Sequence, residues 1–239
     1  MRSAASAARF VGNLQQSRSL TAAEATELTT VNPQPFSMED NLAAIGIMGG
    51  TFDPIHIGHL ILAQQAWETF GLGKVMFVTA ADPPHKPERV VAPAGRRHEM
   101  VCLAVEGNEH FECSSIEIDR CGPSYTVDTL RRIAETHAAD TRLYLLMGAD
   151  EASDLMSWRD PYGILELATI AVANRPGCSV AEAIGCLPDD FGSRLIPLEM
   201  PGVDISSTDI RARVGSGRSI KYLVPEAVEN YIARHGLYA

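Results

Sequence analysis

The chain lacks both of the phosphate loops most often met in nucleotide-handling α/β proteins. No G-x-x-x-x-G-K-[ST] occurs, and Gly46-Ile47-Met48-Gly49-Gly50 has the wrong spacing for G-x-G-x-x-G. That argues against a kinase-type P-loop and against an ordinary dinucleotide-binding oxidoreductase. No uninterrupted apolar stretch approaches the ~20 residues of a membrane-spanning helix, so no membrane partner is expected. Positive charge is also scarce: 20 Lys and Arg face 30 Asp and Glu, for a net charge of −10 and a pI near 5.1. That balance disfavours nucleic acid and anionic membranes as partners, yet leaves room for a small anion held by a local cluster of donors. The five cysteines (Cys102, Cys113, Cys121, Cys178 and Cys186) include no Cys-x-x-Cys pair and no zinc-type spacing. The pattern suits reduced thiols in a cytoplasmic protein and predicts no structural metal. No Ser-His-Asp triad and no internal repeat is evident.

What remains is an ordinary globular composition. The chain has 239 residues, 46% hydrophobic and 21% charged, enough for one large α/β domain or two small ones. Its beginning differs from the rest. Met1 to Ala23 carry Arg2, Arg9 and Arg18 and no acid, with many Ala and Ser. Such a stretch reads as an inert arm, a transit-like segment, or the product of a start placed upstream of Met38. A Pro-broken linker, Thr29 to Ser37, follows. Residues 1–40 are therefore set apart as a flexible arm, and residues 41–239 as one catalytic domain.

From Ala43 onward, short apolar runs alternate with helix-length segments. Strands are expected at 43–48, 74–79, 143–147, 169–173 and 194–198, with an extended stretch over 111–119. Helices are expected at 57–70, 96–106, 125–137, 161–167, 207–214 and 225–235. The alternation implies a Rossmann-like, doubly wound parallel sheet with helices on both faces.

One stretch organises the rest: Gly49-Gly50-Thr51-Phe52-Asp53-Pro54-Ile55-His56-Ile57-Gly58-His59-Leu60. It sits where the first strand hands over to the first helix, the usual phosphate corner of an open α/β sheet. His56 and His59, three apart at a helix start, project from one side of its first turn, and helix amides face the same way. Gly58 lets a phosphate approach the backbone. Two histidines in a surface turn, or a zinc pair with a further ligand elsewhere, are the other readings. Near the far end, Ile205-Ser206-Ser207-Thr208-Asp209-Ile210-Arg211 combines a capping box, Ser206-x-x-Asp209, with hydroxyls able to bind an anion. Arg211 so near a helix start is unfavourable to the dipole unless an anion is present.

Taken together these motifs resemble the nucleotidyltransferase superfamily of the H-x-G-H type. Intervening segments narrow the resemblance: Pro83-Pro84-His85-Lys86, Ser124-Tyr125-Thr126, Gly148-Ala149-Asp150, Trp158, Arg175-Pro176-Gly177, and the ending from Leu223 to Tyr238. In that order, from about Ile45 to Ala239, they look like the bacterial nicotinate-nucleotide adenylyltransferases. The resemblance implies adenylyl transfer from ATP, with Mg²⁺ carried on its phosphates, to nicotinate mononucleotide. It implies that Gly49, Gly50, Thr51, Phe52, His56, His59, Gly148, Asp150, Ile205, Ser206, Ser207, Thr208 and Arg211 bind ATP. It further implies that Thr51, His85, Lys86, Tyr125, Thr126, Trp158 and Arg175 bind the nicotinate nucleotide, and that His56, His59, Arg211 and Lys86 act in catalysis. Asp150 would take the ribose hydroxyls or cap the next helix. Arg159 beside Trp158, and Ala81 before the Pro-Pro-His run, depart from the family pattern and leave nicotinate against nicotinamide preference open. Alternatives are a dual-specificity or nicotinamide enzyme, the pantetheine-phosphate enzyme of the same fold, and an inactive nucleotide-binding regulator. A homo-oligomer is compatible with all of them.

Overall fold

Alternation along six short strands sorts the apolar side chains into two layers. A computed structural model describes residues 44–83, 91–120, 122–174, 177 and 179–239. The strands are β1 (Ala44–Gly50), β2 (Lys74–Thr79), β3 (Phe111–Ser114), β4 (Arg142–Gly148), β5 (Thr169–Ala173) and β6 (Ile196–Leu198). They form a single sheet in the order β3-β2-β1-β4-β5-β6, and every pairing is parallel. On one face, Met48, Phe77, Leu146 and Ala171 join one buried cluster. On the other, Ile47, Val78, Leu145 and Val172 join a second. Successive residues point to opposite faces and both faces are covered, so β2, β4 and β5 read as nearly continuous apolar runs, whereas β3 at the edge (Phe111-Glu112-Cys113-Ser114) does not.

Helices α1 (Ile57–Phe70), α2 (Ala94–Val105), α9 (Ser207–Gly215) and α10 (Glu226–His235) contribute to the first cluster. The second cluster receives α4 (Thr126–Thr136), α5 (Ala149–Ala152), α6 (Pro161–Leu167), α7 (Val180–Gly185) and α8 (Asp189–Gly192). A short helix α3 (Ile116–Arg120) follows β3. The expected doubly wound sheet is thus present. The bounds of α1, β2, α6 and β5 match those expected, and α1 ends at Gly71 in the left-handed conformation (φ 56°).

Two expectations need correction. The stretch from Phe111 to Asp119 is not extended throughout, because the chain turns into α3 at Ile116. Its apolar residues at 116 and 118 alternate as in a strand, but Glu117 between them is buried and accepts a 2.6 Å bond from the Thr129 hydroxyl of α4. The cysteines are also not all reduced thiols: Cys102 and Cys113 form a disulfide, with Cα atoms 5.3 Å apart. The turn between α2 and β3, with Gly107 at φ 87°, folds the chain back and brings the two together. Cys186 is free and exposed. Among the described residues no helix is long and apolar enough to cross a membrane.

Candidate active site

The strand order reverses between β1 and β4, so the crevice at their carboxyl ends is where such a sheet receives a ligand. A cleft of about 250 Å³ lies there. Its floor is Gly49, Gly50 and Thr51 at the end of β1, and Gly148 at the end of β4. Its walls are Phe52, His56 and His59 on one side and Ile205, Ser206, Ser207, Thr208 and Arg211 on the other. Asp150 also lines it, in the first turn of α5. Gly148 and not Asp150 occupies the cap position of that helix, so the capping reading of Asp150 falls away.

The β1–α1 corner is held by close packing. Phe52 is buried with φ 49°, a conformation that side chains rarely adopt. Its ring folds over Gly50, where an added Cβ would lie 2.8 Å from the ring. His56 is buried, and its ring stacks on that of His59 with centroids 3.7 Å apart. The edge of Phe52 meets His59 at 5.1 Å. The His56 backbone N–H donates to His59 Nδ1 at 3.1 Å, so the neutral ring carries its proton on Nε2. Gly58 makes this stack possible, since a Cβ there would lie 3.1 Å from His56 Nδ1. The amide of Ile57 is not offered to a ligand; it donates to the Leu223 carbonyl at 2.9 Å and ties the C-terminal segment to α1.

The two motifs separated in sequence meet directly. Arg211 Nη1 donates to the Asp53 carbonyl at 2.7 Å, and the Ser207 hydroxyl donates to the Pro54 carbonyl at 2.8 Å. Arg211 Nη2 also reaches the Thr208 hydroxyl at 3.3 Å. Ser206 caps α9 by accepting from the Asp209 N–H at 3.1 Å. The Asp209 carboxylate turns instead to Arg213 Nε, at 2.8 Å, so it pairs along the helix. Arg211 lines the cleft close to the start of α9 while its Nη1 also pairs with the buried Asp53 carboxylate at 4.0 Å, and a cation beside a helix N-terminus favours an anion.

Beneath this corner lies a polar cluster that the sequence did not reveal. Asp53 is 3% exposed, and its carboxylate accepts from the Val91 N–H at 2.7 Å, the Ala92 N–H at 3.1 Å and the Tyr238 hydroxyl at 2.7 Å. Arg97 is 1% exposed and donates to the carbonyls of Ala92, Thr51 and Ala81 at 3.0, 2.5 and 3.2 Å. Burial lowers the Arg97 guanidinium below its ordinary value, and Asp53 and Tyr238 oppose that effect. Burial, and then the bond to Asp53, pushes the Tyr238 phenol well above its ordinary value. A buried charge is tolerable only when paired and hydrogen-bonded. The only sequence signals were an Arg in a helix otherwise buried on that side and a Tyr one residue from the end.

Not every expected residue enters the cleft. Thr51 does, but Tyr125 and Trp158 are half-buried against the second core, and Thr126 opens α4. Arg159 lies over the Tyr125 ring, 4.6 Å from its centroid. Ser124 links that region to the cleft: its hydroxyl accepts from the Ala81 and Asp82 amides at 2.9 and 3.3 Å. Arg97 then joins Ala81 to Thr51. His85, Lys86 and Arg175, and the arm of residues 1–40, lie outside the described residues.

Comparison with known proteins agrees with this geometry. Residues 47–213 match the cytidylyltransferase-like family model. A probable nicotinate-nucleotide adenylyltransferase of Thermus thermophilus is 48% identical over 194 residues, covering 81% of this chain and 98% of the relative. Another from Roseiflexus is 47% identical over 201 residues, covering 82% and 98%. Among solved structures, a nicotinic acid mononucleotide adenylyltransferase of Plasmodium falciparum complexed with NaAD superposes with a TM-score of 0.66. It is 18% identical, over 82% of this chain and 97% of that one, and so speaks for the fold.

Proposed function

The chain belongs to the cytidylyltransferase-like family and, within it, to the nicotinate-nucleotide adenylyltransferases, and from that membership we propose that its cleft transfers AMP from ATP to nicotinate mononucleotide. The products are deamido-NAD, a step of NAD biosynthesis, and pyrophosphate. The observation that carries the reading is the meeting of the two motifs through Arg211 and Ser207 on the Asp53-Pro54 backbone.

A phosphate oxygen of nicotinate mononucleotide attacks the α-phosphorus of ATP, and the bond from that phosphorus to the bridging oxygen breaks. The nucleophile is already ionised, so no strong general base is required. Catalysis reduces to aligning two polyanions and neutralising the charge that builds between them. In this assignment His59 Nε2 donates to the phosphates, and His56 is held in the same stack. Arg211, Thr208 and the first turn of α9 hold the β- and γ-phosphates. Gly49 leaves open space where a side chain would crowd ATP. Asp150 takes the ribose hydroxyls. Mg²⁺ arrives with the substrate, carried on the ATP phosphates.

Nicotinate mononucleotide would lie beyond Thr51, toward the start of α4. The path Thr51–Arg97–Ala81–Ser124 supports this, because it couples the cleft to Tyr125 and Thr126. Amides at a helix start suit a carboxylate, whereas an amide ligand also wants an acceptor, a physical route to preferring nicotinate. Trp158 and Arg175 belong to this subsite in the proposal, and His85 and Lys86 close over the reacting phosphates. The catalytic unit is residues 41–239 in a cytoplasmic protein, and a chain lacking residues 1–37 is expected to keep its turnover, which the same pyrophosphate assay would check.

The test is pyrophosphate release from Mg²⁺-ATP with nicotinate mononucleotide, nicotinamide mononucleotide or phosphopantetheine supplied separately. Release is expected to be fastest with nicotinate mononucleotide. No release with either pyridine nucleotide would overturn the proposal.

A further inference from the structure

Outside the cleft, α2 and β3 bring together three side chains that adenylyl transfer does not use. His98 and Cys102 are four apart on α2 and so project from one face of that helix. Cys113 comes from β3 and meets Cys102 across the turn. One ligand atom from each of the three lies within 4.8 Å of the other two, and all three residues are half-buried. Cys102 Sγ is 3.5 Å from His98 Nε2. His98 Nδ1 faces the hydroxyl of Thr79 at 3.3 Å, and Thr79 is fully buried at the end of β2. That contact turns the other ring nitrogen toward the sulfurs.

We propose that His98, Cys102 and Cys113 form a thiol-gated metal site, which takes one Zn²⁺ when the two cysteines are reduced and is closed by their disulfide when they are oxidised. The donor set is one imidazole and two thiolates, which selects a soft or borderline ion over Mg²⁺. Zinc bonds of about 2.0–2.1 Å to nitrogen and about 2.3 Å to sulfur, at a tetrahedral angle, set an N-to-S edge of about 3.5 Å. The His98–Cys102 edge already has that length. The two sulfurs must separate to about 3.8 Å on the same bond lengths, and the His98–Cys113 edge, within 4.8 Å, must settle to about the same N-to-S length. The Thr79 hydroxyl supplies the outer contact that fixes ring orientation at such sites. A zinc ion with two thiolates and a neutral imidazole has no net charge, which suits a half-buried position. The fourth position is left to water.

The redox step balances with an external dithiol. Its two electrons and two protons cleave the Cys102–Cys113 bond to two thiols, and it becomes a disulfide itself. Zinc binding then releases the two thiol protons. The disulfide and the zinc complex both clamp α2 to β3, so the reduced, metal-free chain is the loosened form. The clamp adjoins the nucleotide corner, because Thr79 pairs in register with Gly50 and the Ala80 N–H donates to the Gly50 carbonyl at 2.9 Å.

The test uses the full chain, reduced with a phosphine, stripped with a chelator and titrated with Co²⁺ as a coloured stand-in for zinc. A sulfur-to-cobalt charge-transfer band is expected, saturating at one ion per chain and abolished by Zn²⁺. The oxidised chain should give no band until reductant is added. The Cys113→Ser variant should lose the band, and the combined Cys121→Ser, Cys178→Ser and Cys186→Ser variant should keep it. Ions bound at His56 and His59 would give no thiolate band, since among the described residues no cysteine lines that cleft. The proposal is overturned if the reduced chain gives no band, if Cys113→Ser retains it, or if the combined variant loses it. Should Cys113→Ser fail to fold by circular dichroism, the unmutated chain in its two redox states, compared with the combined variant, decides the matter.

Discussion

Arg211 Nη1 lies 2.7 Å from the carbonyl oxygen of Asp53 and joins two segments 158 residues apart. One guanidinium therefore grips the backbone of the histidine corner and also faces the cleft. Arg211→Lys should lower kcat/KM for adenylyl transfer at least tenfold, because an ammonium cannot hold that carbonyl and a phosphate with a planar fork. Arg211→Ala should cost about 10²–10³-fold, as for loss of a transition-state donor. Steady-state kinetics with ATP varied checks both. Unchanged kinetics in a folded variant would remove Arg211 from the site.

Gly58 separates stability from activity. Alanine is the better helix former by about 1 kcal/mol in a helix interior, which offsets the crowding of His56, so Gly58→Ala should change the melting temperature little. Its Cβ would sit 3.1 Å from His56 Nδ1, so the imidazole must give by a few tenths of an ångström. A fall in kcat of about tenfold or more is expected, since small misplacements at a reacting centre are expensive. Melting and turnover measured on one preparation test the pair of outcomes. A full kcat would mean that the stack tolerates the shift.

The Tyr238 hydroxyl donates to the buried Asp53 carboxylate at 2.7 Å. Tyr238→Phe should reduce stability by about 1.5–3 kcal/mol, the range for a hydrogen bond to a charged group. The phenol is raised in the folded chain, first by burial and then by Asp53. A raised group stabilises fully below its unfolded value, near 10, and loses that contribution as pH rises through the folded value. The gap between the chain and the variant should therefore be constant around neutrality and narrow in strong alkali. Urea unfolding at two pH values measures it.

Much of this site could be read from the sequence because it is local. Ile57–Phe70 carries its own periodicity and its own stop at Gly71, and each of the two motifs that meet through Arg211 is contiguous and sits at a helix start. Asp53, Arg97 and Tyr238 were not legible in that way. Their burial depends on partners 46 and 185 residues away, and a buried charge has no periodic signature. Cys102 and Cys113 were missed for a related reason: one stands on a helix and the other on a strand, so their spacing matches no single-element rule. Ile116 and Ile118 misled in the opposite direction, since their alternation suited a strand while the chain turns into α3 there and buries Glu117 against Thr129, a partner 12 residues away.

Acid sensitivity should appear where α2 meets α10. Glu99 accepts from the Tyr231 hydroxyl and pairs with Arg96, which also donates to Tyr231 at 2.8 Å. The Tyr231 bond first, and the Arg96 charge after it, hold the Glu99 carboxyl below its ordinary value. A depressed carboxyl stabilises above its unfolded value, about 4.3, and that contribution is lost as pH falls through the lower folded value. Glu99→Gln should be modestly less stable than the parent at neutral pH, and the difference should vanish on acidification. The effect is small because Glu99 is exposed. Thermal melts across the acid range would expose a difference of the wrong sign.

The central claim is that the stacked histidines and Arg211 form one adenylyl-transfer site. Its most direct test is chromatographic detection of deamido-NAD formed from Mg²⁺-ATP and nicotinate mononucleotide, by the unmutated chain and by His56→Ala. The account predicts product from the chain, and a kcat about 10²–10³-fold lower from a folded His56→Ala. Absence of deamido-NAD from the unmutated chain, or a loss under about tenfold in the variant with chemistry rate-limiting, would contradict it.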